Sequence, residues 1–221
     1  MTAGLIAALQ HLAGAEVAVA VRPVAGPIDP LWPAEQLAMA RAIPSRQAEY
    51  AAGRSAARAA MQMLGLTLAG IPTGPDRAPV WPSGIVGSIS HTRGLCVAMV
   101  ARAGAIRGIG VDLELSDPLP ADLWPEVLTI AERADLDRLP DADRGRTAKL
   151  IFSAKECTYK CIYPQIQTVL GFWEMEIRLD PVHQTFAATL LKQAGPIAAG
   201  TVWGGGYALT DGLTATVIVH R

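Results

Sequence analysis

The sequence predicts an α+β protein built from two similar α+β subdomains that meet near residue 105. Three observations predict this. A helical period runs on from Pro44 and another from about Asp143, and each long helix is followed by segments that alternate apolar and polar residues in the manner of antiparallel strands. Between the halves, Ala103-Gly104-Ala105 reads as a short linker. One long helix and one antiparallel sheet per half, over residues 1–105 and 106–221, gives two layered units. At 221 residues and 51% hydrophobic content, the chain can bury a sizeable core.

In chain order, Glu16 to Arg22 alternates like a strand, and Pro23, Pro27, Pro30 and Pro33 then mark an extended connection. A long helix follows Pro44, with Ser45 as its N-cap and Gly65 just past its end. Ala48, Ala52, Ala56, Ala59 and Met63 keep a helical period, while Arg46, Tyr50, Arg54 and Arg58 form an i, i+4 row on another face. Pro72 to Gly84 is rich in Pro and Gly and reads as a loop. Strands Val86 to Ser90 and Leu95 to Ala101 flank a turn at His91 to Gly94. Beyond the linker come a strand from Gly108 to Glu114, a helix near Val127 to Leu136, and a second long helix from Asp143 to Tyr163 that stops at Pro164. Four strands complete the chain: Glu174 to Leu179, Thr185 to Leu191, Val202 to Leu209 and Leu213 to His220.

Composition narrows the function. Three cysteines, Cys96, Cys157 and Cys161, are an odd number without metal-ligand spacing, which favours buried thiols in a reducing compartment. Met1 to Ala15 is apolar but lacks a basic n-region, and no uncharged apolar run reaches bilayer-spanning length. A cytoplasmic protein with no membrane span is expected. The net charge of −1 gives no reason to expect a nucleic-acid partner. Charge is unevenly spread: residues 1–105 carry eight Arg and no Lys against five acids, whereas residues 106–221 carry eleven cations against fifteen acids. Arginine's planar fork suits phosphate, so the first half suits an anionic ligand and the acidic second half suits a metal.

Three constellations carry candidate chemistry. Asp112 and Glu114, two apart on a strand, project from one face and offer the hard oxygens that Mg²⁺ prefers. Flanking Gly108 and Gly110 would let a ligand approach the backbone closely. Glu156 and Lys160, four apart, share one helical face; the residues themselves also allow a surface ion pair, or a capping box with Ser153. The row Leu150, Ala154, Cys157 and Cys161 faces the core. Ser90-His91-Thr92, at the entry to a turn, could donate to a phosphate, or could be structural.

Taken together, Gly108-Ile109-Gly110-Val111-Asp112-Leu113-Glu114 and Phe152-Ser153-Ala154-Lys155-Glu156-Cys157-Thr158-Tyr159-Lys160 resemble the two hallmark motifs of the 4′-phosphopantetheinyl transferases. Asp112 and Glu156 stand forty-four positions apart. The stretch from Trp81 to Thr92 is similar to a third block of that family, and Arg46, Glu49, Gly53 and Arg54 to its N-terminal helix. The likeness spans about residues 45 to 180, in the style of the long surfactin- and enterobactin-type enzymes.

This resemblance implies two subdomains related by a pseudo-two-fold, and transfer of the phosphopantetheine arm of coenzyme A to a serine of an acyl or peptidyl carrier protein, releasing adenosine 3′,5′-bisphosphate. It implies that Asp112, Glu114 and Glu156 hold Mg²⁺, with Mn²⁺ as a substitute, and that Glu156 and Lys160 are catalytic: Glu156 as the base, directly or through water, and Lys160 at the phosphates. Arg46 and Arg54 would take the 3′-phosphate of coenzyme A, with Arg77, Ser90, His91 and Lys155 as further contacts. A monomer serving fatty acid, polyketide, nonribosomal peptide or siderophore carriers is expected. Two other readings stay open on the residues alone: a Mg²⁺-dependent nucleotide phosphohydrolase, and a non-enzymatic coenzyme A-binding domain.

Overall fold

The computed structural model describes residues 2–92 and 94–221; Met1 and Arg93, the latter within the expected His91 to Gly94 turn, lie outside the described residues. The chain forms two compact units, Met1–Ile109 with Arg221, and Gly110–His220.

In the first unit, α1 (Thr2–Ala13) is a helix that the apolar opening of the chain gave no reason to expect, and it buries Leu5, Leu9 and Ala13 at helical spacing. After β1 (Ala18–Pro23) the prolines do not simply extend the chain. Pro33 opens α2 (Pro33–Met39), where its missing N–H costs nothing and its fixed φ suits the first helical turn. Pro44 likewise opens α3 (Pro44–Met63), so the residue before the helix is Ile43 rather than the expected cap Ser45. Gly65, at φ 61°, follows the helix end. β2 (Ile85–Thr92) and β3 (Leu95–Arg102) pair antiparallel, and β1 pairs antiparallel with β3, giving the order β1-β3-β2. α3 lies on this sheet through fully buried Ala56, Ala57, Ala60 and Met61, which pack with Ala98 and Val100.

The second unit begins within β4 (Gly108–Leu115). The helix expected near Val127 to Leu136 is two: α4 (Trp124–Val127) and α5 (Ile130–Leu136), parted by an extended Leu128. Thr129 starts α5 with a reciprocal cap, its hydroxyl accepting from Glu132 N at 3.1 Å while the Glu132 carboxylate accepts from Thr129 N at 2.7 Å. α6 (Asp141–Ile166) runs past Pro164, where it was expected to stop. In a last turn, proline removes only one helical hydrogen bond, and the helix closes when Gln167, at φ 47°, donates to the Tyr163 carbonyl. β5 (Met175–Asp180), β6 (Thr185–Leu190), β7 (Val202–Thr210) and β8 (Leu213–His220) form antiparallel neighbours, and β4 joins beside β8 in the order β4-β8-β7-β6-β5. α6 packs on β8, β5 and β6, burying Leu150, Ala154, Cys157 and Cys161 as the sequence pattern requires.

Each unit is tied together by one buried carboxylate. Glu35, fully buried in α2, accepts from Trp32 N at 2.9 Å, from Ile71 N at 2.8 Å and from the Arg58 guanidinium of α3 at 3.0 Å. Glu132, 2% exposed in α5, accepts from Thr129 N, from Ile177 N at 2.7 Å and from Lys155 Nζ of α6 at 2.7 Å. In both units the base follows the acid by 23 residues. The row Arg46, Tyr50, Arg54 and Arg58 is therefore not one solvent-facing stripe, because Tyr50, Arg54 and Arg58 are all buried.

Removing one partner of such a pair leaves an uncompensated buried charge, which costs about 3–5 kcal/mol. Lys155→Met is expected to lower stability by about that amount in urea unfolding, and adding Glu132→Gln should recover part of the loss.

Candidate active site

β4 puts Asp112 and Glu114 on the face that also carries Gly110, and that face meets α6. A Cβ on Gly110 would overlap the carbonyl oxygen of Cys157. The glycine expected to admit a ligand therefore admits the backbone of α6 instead, and the close approach lets α6 side chains reach the β4 carboxylates. Lys160 Nζ lies 2.6 Å from Asp112 Oδ1 and Ser153 Oγ donates to Asp112 Oδ2 at 2.8 Å. Lys149 Nζ donates to Glu114 Oε2 at 3.3 Å.

Electrostatics bind Glu156 into the same group. Burial holds its carboxyl above the usual range; Lys160 pulls it down, and Asp112 and Glu114 push it up. Glu114 is raised by burial first and then by Asp112, against the pull of Lys149 and Lys160. For Lys160, burial favours the neutral form, but attraction and hydrogen bonding to Asp112, with Glu156 adding, outweigh it and raise the ammonium above its ordinary value.

Among the described residues, no group of three or more His, Cys, Asp and Glu side chains stands in a metal-ligating arrangement. The donor chemistry nevertheless fits a hard divalent cation. Asp112 raises the proton affinity of Glu114, and Asp112 and Glu114 raise that of Glu156, while ammonium groups rather than further acids hold Asp112 and Glu114. Asp112, Glu114 and Glu156 could hold such a cation.

In the first unit, Arg46 at the start of α3 approaches His91 of β2, Nη1 to Nε2 2.7 Å, and pairs with Glu49 at 3.3 Å; Arg46 and His91 are 48% and 41% exposed. Arg54 does not join them. It is 6% exposed, stacks on the Tyr50 ring at 4.1 Å and donates to Ile71 O at 2.6 Å and Thr73 Oγ1 at 3.2 Å. Its expected place beside Arg46 at a 3′-phosphate is thus corrected to a buried tie onto the chain after α3. Strand alternation turns Ser90, 5% exposed, to the face opposite His91. Arg77 is exposed at φ 68° in a turn closed by Arg77 N donating to Gly74 O. Lys155, expected at the cofactor, is 2% exposed and spends its ammonium on Val127 O, Glu132 and Phe172 O. A side chain about 100° around the helix from Glu156 faces the interior here.

A profile described as "4'-phosphopantetheinyl transferase N-terminal domain" matches residues 34–101, and one described as "4'-phosphopantetheinyl transferase superfamily" matches residues 108–210. The chain is 39% identical over 199 residues to 4'-phosphopantetheinyl transferase Svp of Streptomyces mobaraensis, covering 87% of this chain and 79% of that protein. The chain belongs to the 4′-phosphopantetheinyl transferases. It is 33% identical over 193 residues to the PptT enzyme of Mycobacterium tuberculosis, covering 85% of both, and 35% identical over 179 residues to enterobactin synthase component D of Salmonella typhimurium, covering 75% of this chain and 71% of that protein. Among solved structures, a holo-(acyl-carrier-protein) synthase from Bacillus anthracis in complex with CoA (3',5'-ADP) aligns with TM-score 0.39 and 20% identity, over 53% of this chain and all of that one.

Sequence reasoning missed Lys149, which precedes the hallmark motif and donates to Glu114, and it named Glu49 only as a family position. Thr216 sits 63 residues from its partner Ser153. Only the polar residue in the middle of a buried helical face, Ser153 at 0% exposure, hinted that something opposite required a hydroxyl.

The raised Glu156 carboxyl makes a signed prediction. Its folded proton affinity exceeds the unfolded one, so its contribution to stability is fully present below the unfolded value and is lost as pH rises through the folded one. In chelator-treated protein at neutral pH, Glu156→Gln should therefore raise Tm, at about 2–4 °C per kcal/mol for a chain of this size, and the gain should vanish in mildly acidic buffer. Calorimetric melts across that range measure it.

Proposed function

We propose that this transferase moves the phosphopantetheine arm of coenzyme A onto a serine of an apo carrier protein, with Asp112, Glu114 and Glu156 holding Mg²⁺, or Mn²⁺ in its place. The observation that carries the site assignment is the 2.6 Å pair of Asp112 and Lys160, which joins the strand motif to the helix motif on one face. Such a constellation of three acids and a lysine suits phosphoryl transfer, where positioning and charge neutralisation supply most of the catalysis. When bound, the cation would neutralise pyrophosphate charge and favour departure of the bisphosphate.

The chain's own residues account for the remaining work. Glu156 takes the proton from the carrier serine hydroxyl, and a carboxyl raised by burial is a better base near neutrality than an ordinary one. The serine oxygen forms a bond to the phosphorus that carries pantetheine, and the bond from that phosphorus to the bridging oxygen breaks. Adenosine 3′,5′-bisphosphate leaves with the electron pair. Lys160, held protonated by Asp112, stabilises the negative charge of the leaving group. Arg46 and His91, close together and exposed, take the 3′-phosphate of coenzyme A, with Arg77 as a further contact. Ser90 is assigned no direct contact.

Three measurements test this reading. Mass spectrometry of apo acyl and peptidyl carrier proteins incubated with the enzyme, coenzyme A and Mg²⁺ should show the added phosphopantetheine. Asp112→Ala and Glu156→Ala should each cut transfer by at least about 10²-fold, the low end of the 10²–10⁴-fold weight of a positioned base; near-normal turnover in both, or release of pantetheine phosphate without a carrier, would reject it. Arg46→Ala should raise KM for coenzyme A about tenfold while leaving KM for 3′-dephospho-coenzyme A within about twofold, since one charge-assisted hydrogen bond is worth about 1.5–3 kcal/mol.

A further inference from the structure

Asp112 is held from behind. Its Oδ2 accepts from Ser153 Oγ at 2.8 Å, and Ser153 Oγ lies 3.0 Å from Thr216 Oγ1, which is also 3.0 Å from the Ser153 carbonyl oxygen. Ser153 and Thr216 are fully buried and Asp112 is 3% exposed. Proton counting gives the chain a direction. Each hydroxyl has one proton, and the carboxylate, an acceptor only, takes the one from Ser153. The Thr216 proton is then left for the Ser153 hydroxyl and carbonyl oxygens. The other carboxylate oxygen, Oδ1, faces Lys160 at 2.6 Å.

We infer that Thr216 and Ser153 are positioning residues, a two-hydroxyl relay that fixes the plane of the Asp112 carboxylate and reserves Oδ2 for the protein. The inference rests on the reading of Asp112 as a cation ligand and deepens it. With Oδ2 engaged, the carboxylate oxygen that would meet a cation is Oδ1, which it would share with Lys160. Mg²⁺ is small, demands near-octahedral geometry and binds through a few single oxygens, whereas Ca²⁺ accepts carboxylates through both oxygens and tolerates irregular shells. The relay therefore sets cation affinity and also the preference for the smaller ion. Thr216 also bonds the Ser153 carbonyl and the Cys157 thiol, so its hydroxyl holds α6 as well as the relay. Ser153 lies in a helix, where a serine can bond its own backbone four residues back, as Thr158 does to Ala154 O at 2.7 Å; Ser153 instead reaches across to β4.

The test titrates Mg²⁺ and, separately, Ca²⁺ into the full chain with coenzyme A present, by calorimetry, for wild type, Ser153→Ala, Thr216→Val, Thr216→Ser and Asp112→Ala. Loss of an outer partner of a metal ligand weakens metal binding about 10–100-fold. Ser153→Ala and Thr216→Val should raise the Mg²⁺ Kd by about that factor and the Ca²⁺ Kd by less, narrowing the preference for Mg²⁺. Thr216→Ser, which keeps the hydroxyl, should stay within about threefold of wild type in both titrations. Mg²⁺ affinities unchanged in Ser153→Ala and Thr216→Val would overturn the inference, as would equal losses in Thr216→Val and Thr216→Ser, which would assign the effect to packing. If Asp112→Ala itself leaves the Mg²⁺ Kd unchanged, the cation reading fails and the relay with it; if Asp112→Ala abolishes binding while the relay variants do not, only the relay is rejected. Melting curves of the five proteins supply the control for folding: a Kd change accompanied by a collapsed transition in Ser153→Ala is decided by Thr216→Val against Thr216→Ser.

Discussion

The missing side chain at Gly110 is the constraint on which the site depends. Where β4 meets α6, the strand lies against the carbonyl of Cys157 with no room for a methyl group. That approach gives Asp112 its two α6 partners, the Ser153 hydroxyl and the Lys160 ammonium, each within hydrogen-bonding distance. A bulkier residue would have to part the two elements, and an ångström of separation would lengthen every contact that joins the two motifs. Spacing between motifs in the chain is thus secondary to the spacing between two backbones in the fold.

The same closeness concentrates charge. Asp112, Glu114 and Glu156 repel one another in a partly buried setting, and the protein offsets this with Lys149 and Lys160 instead of moving the acids apart. Stability is given up locally where a ligand is to be held, the usual exchange at a working site. Cys157 and Cys161 are packing groups on the core face of α6: burial pushes both thiols up, Cys161 to about 12, so they remain protonated.

Much of this was legible in the sequence, for identifiable reasons. Long helices and alternating strands declare themselves by period, and α3, α6 and the strands from β4 to β8 follow that pattern to within a few residues. Prolines misled twice in opposite ways. Pro33 begins a helix where an extended run was expected, because a first-turn N–H has no intrahelical partner, and Pro164 sits inside a helix it was expected to end, at the cost of one hydrogen bond in the last turn. In the site, the residues of one strand face and one helix face could be grouped from spacing alone. Lys155 and Arg54 could not be placed, since whether a cation faces a ligand or a buried acid is decided by distant partners: Glu132 for Lys155, and the carbonyl of Ile71 for Arg54. Thr216 was invisible for the same reason.

The two buried carboxylates have a consequence for how such chains are read. In each unit an acid in the first turn of a short helix is closed off by a base 23 residues later on the long helix, Glu35 with Arg58 and Glu132 with Lys155. Of the two short helices, α2 gave no helical signal in the sequence, and α5 was read only as part of a longer helix. Counting back 23 residues from Arg58 or from Lys155 lands in the first turn of the short helix, so each long helix holds the start of the helix before it.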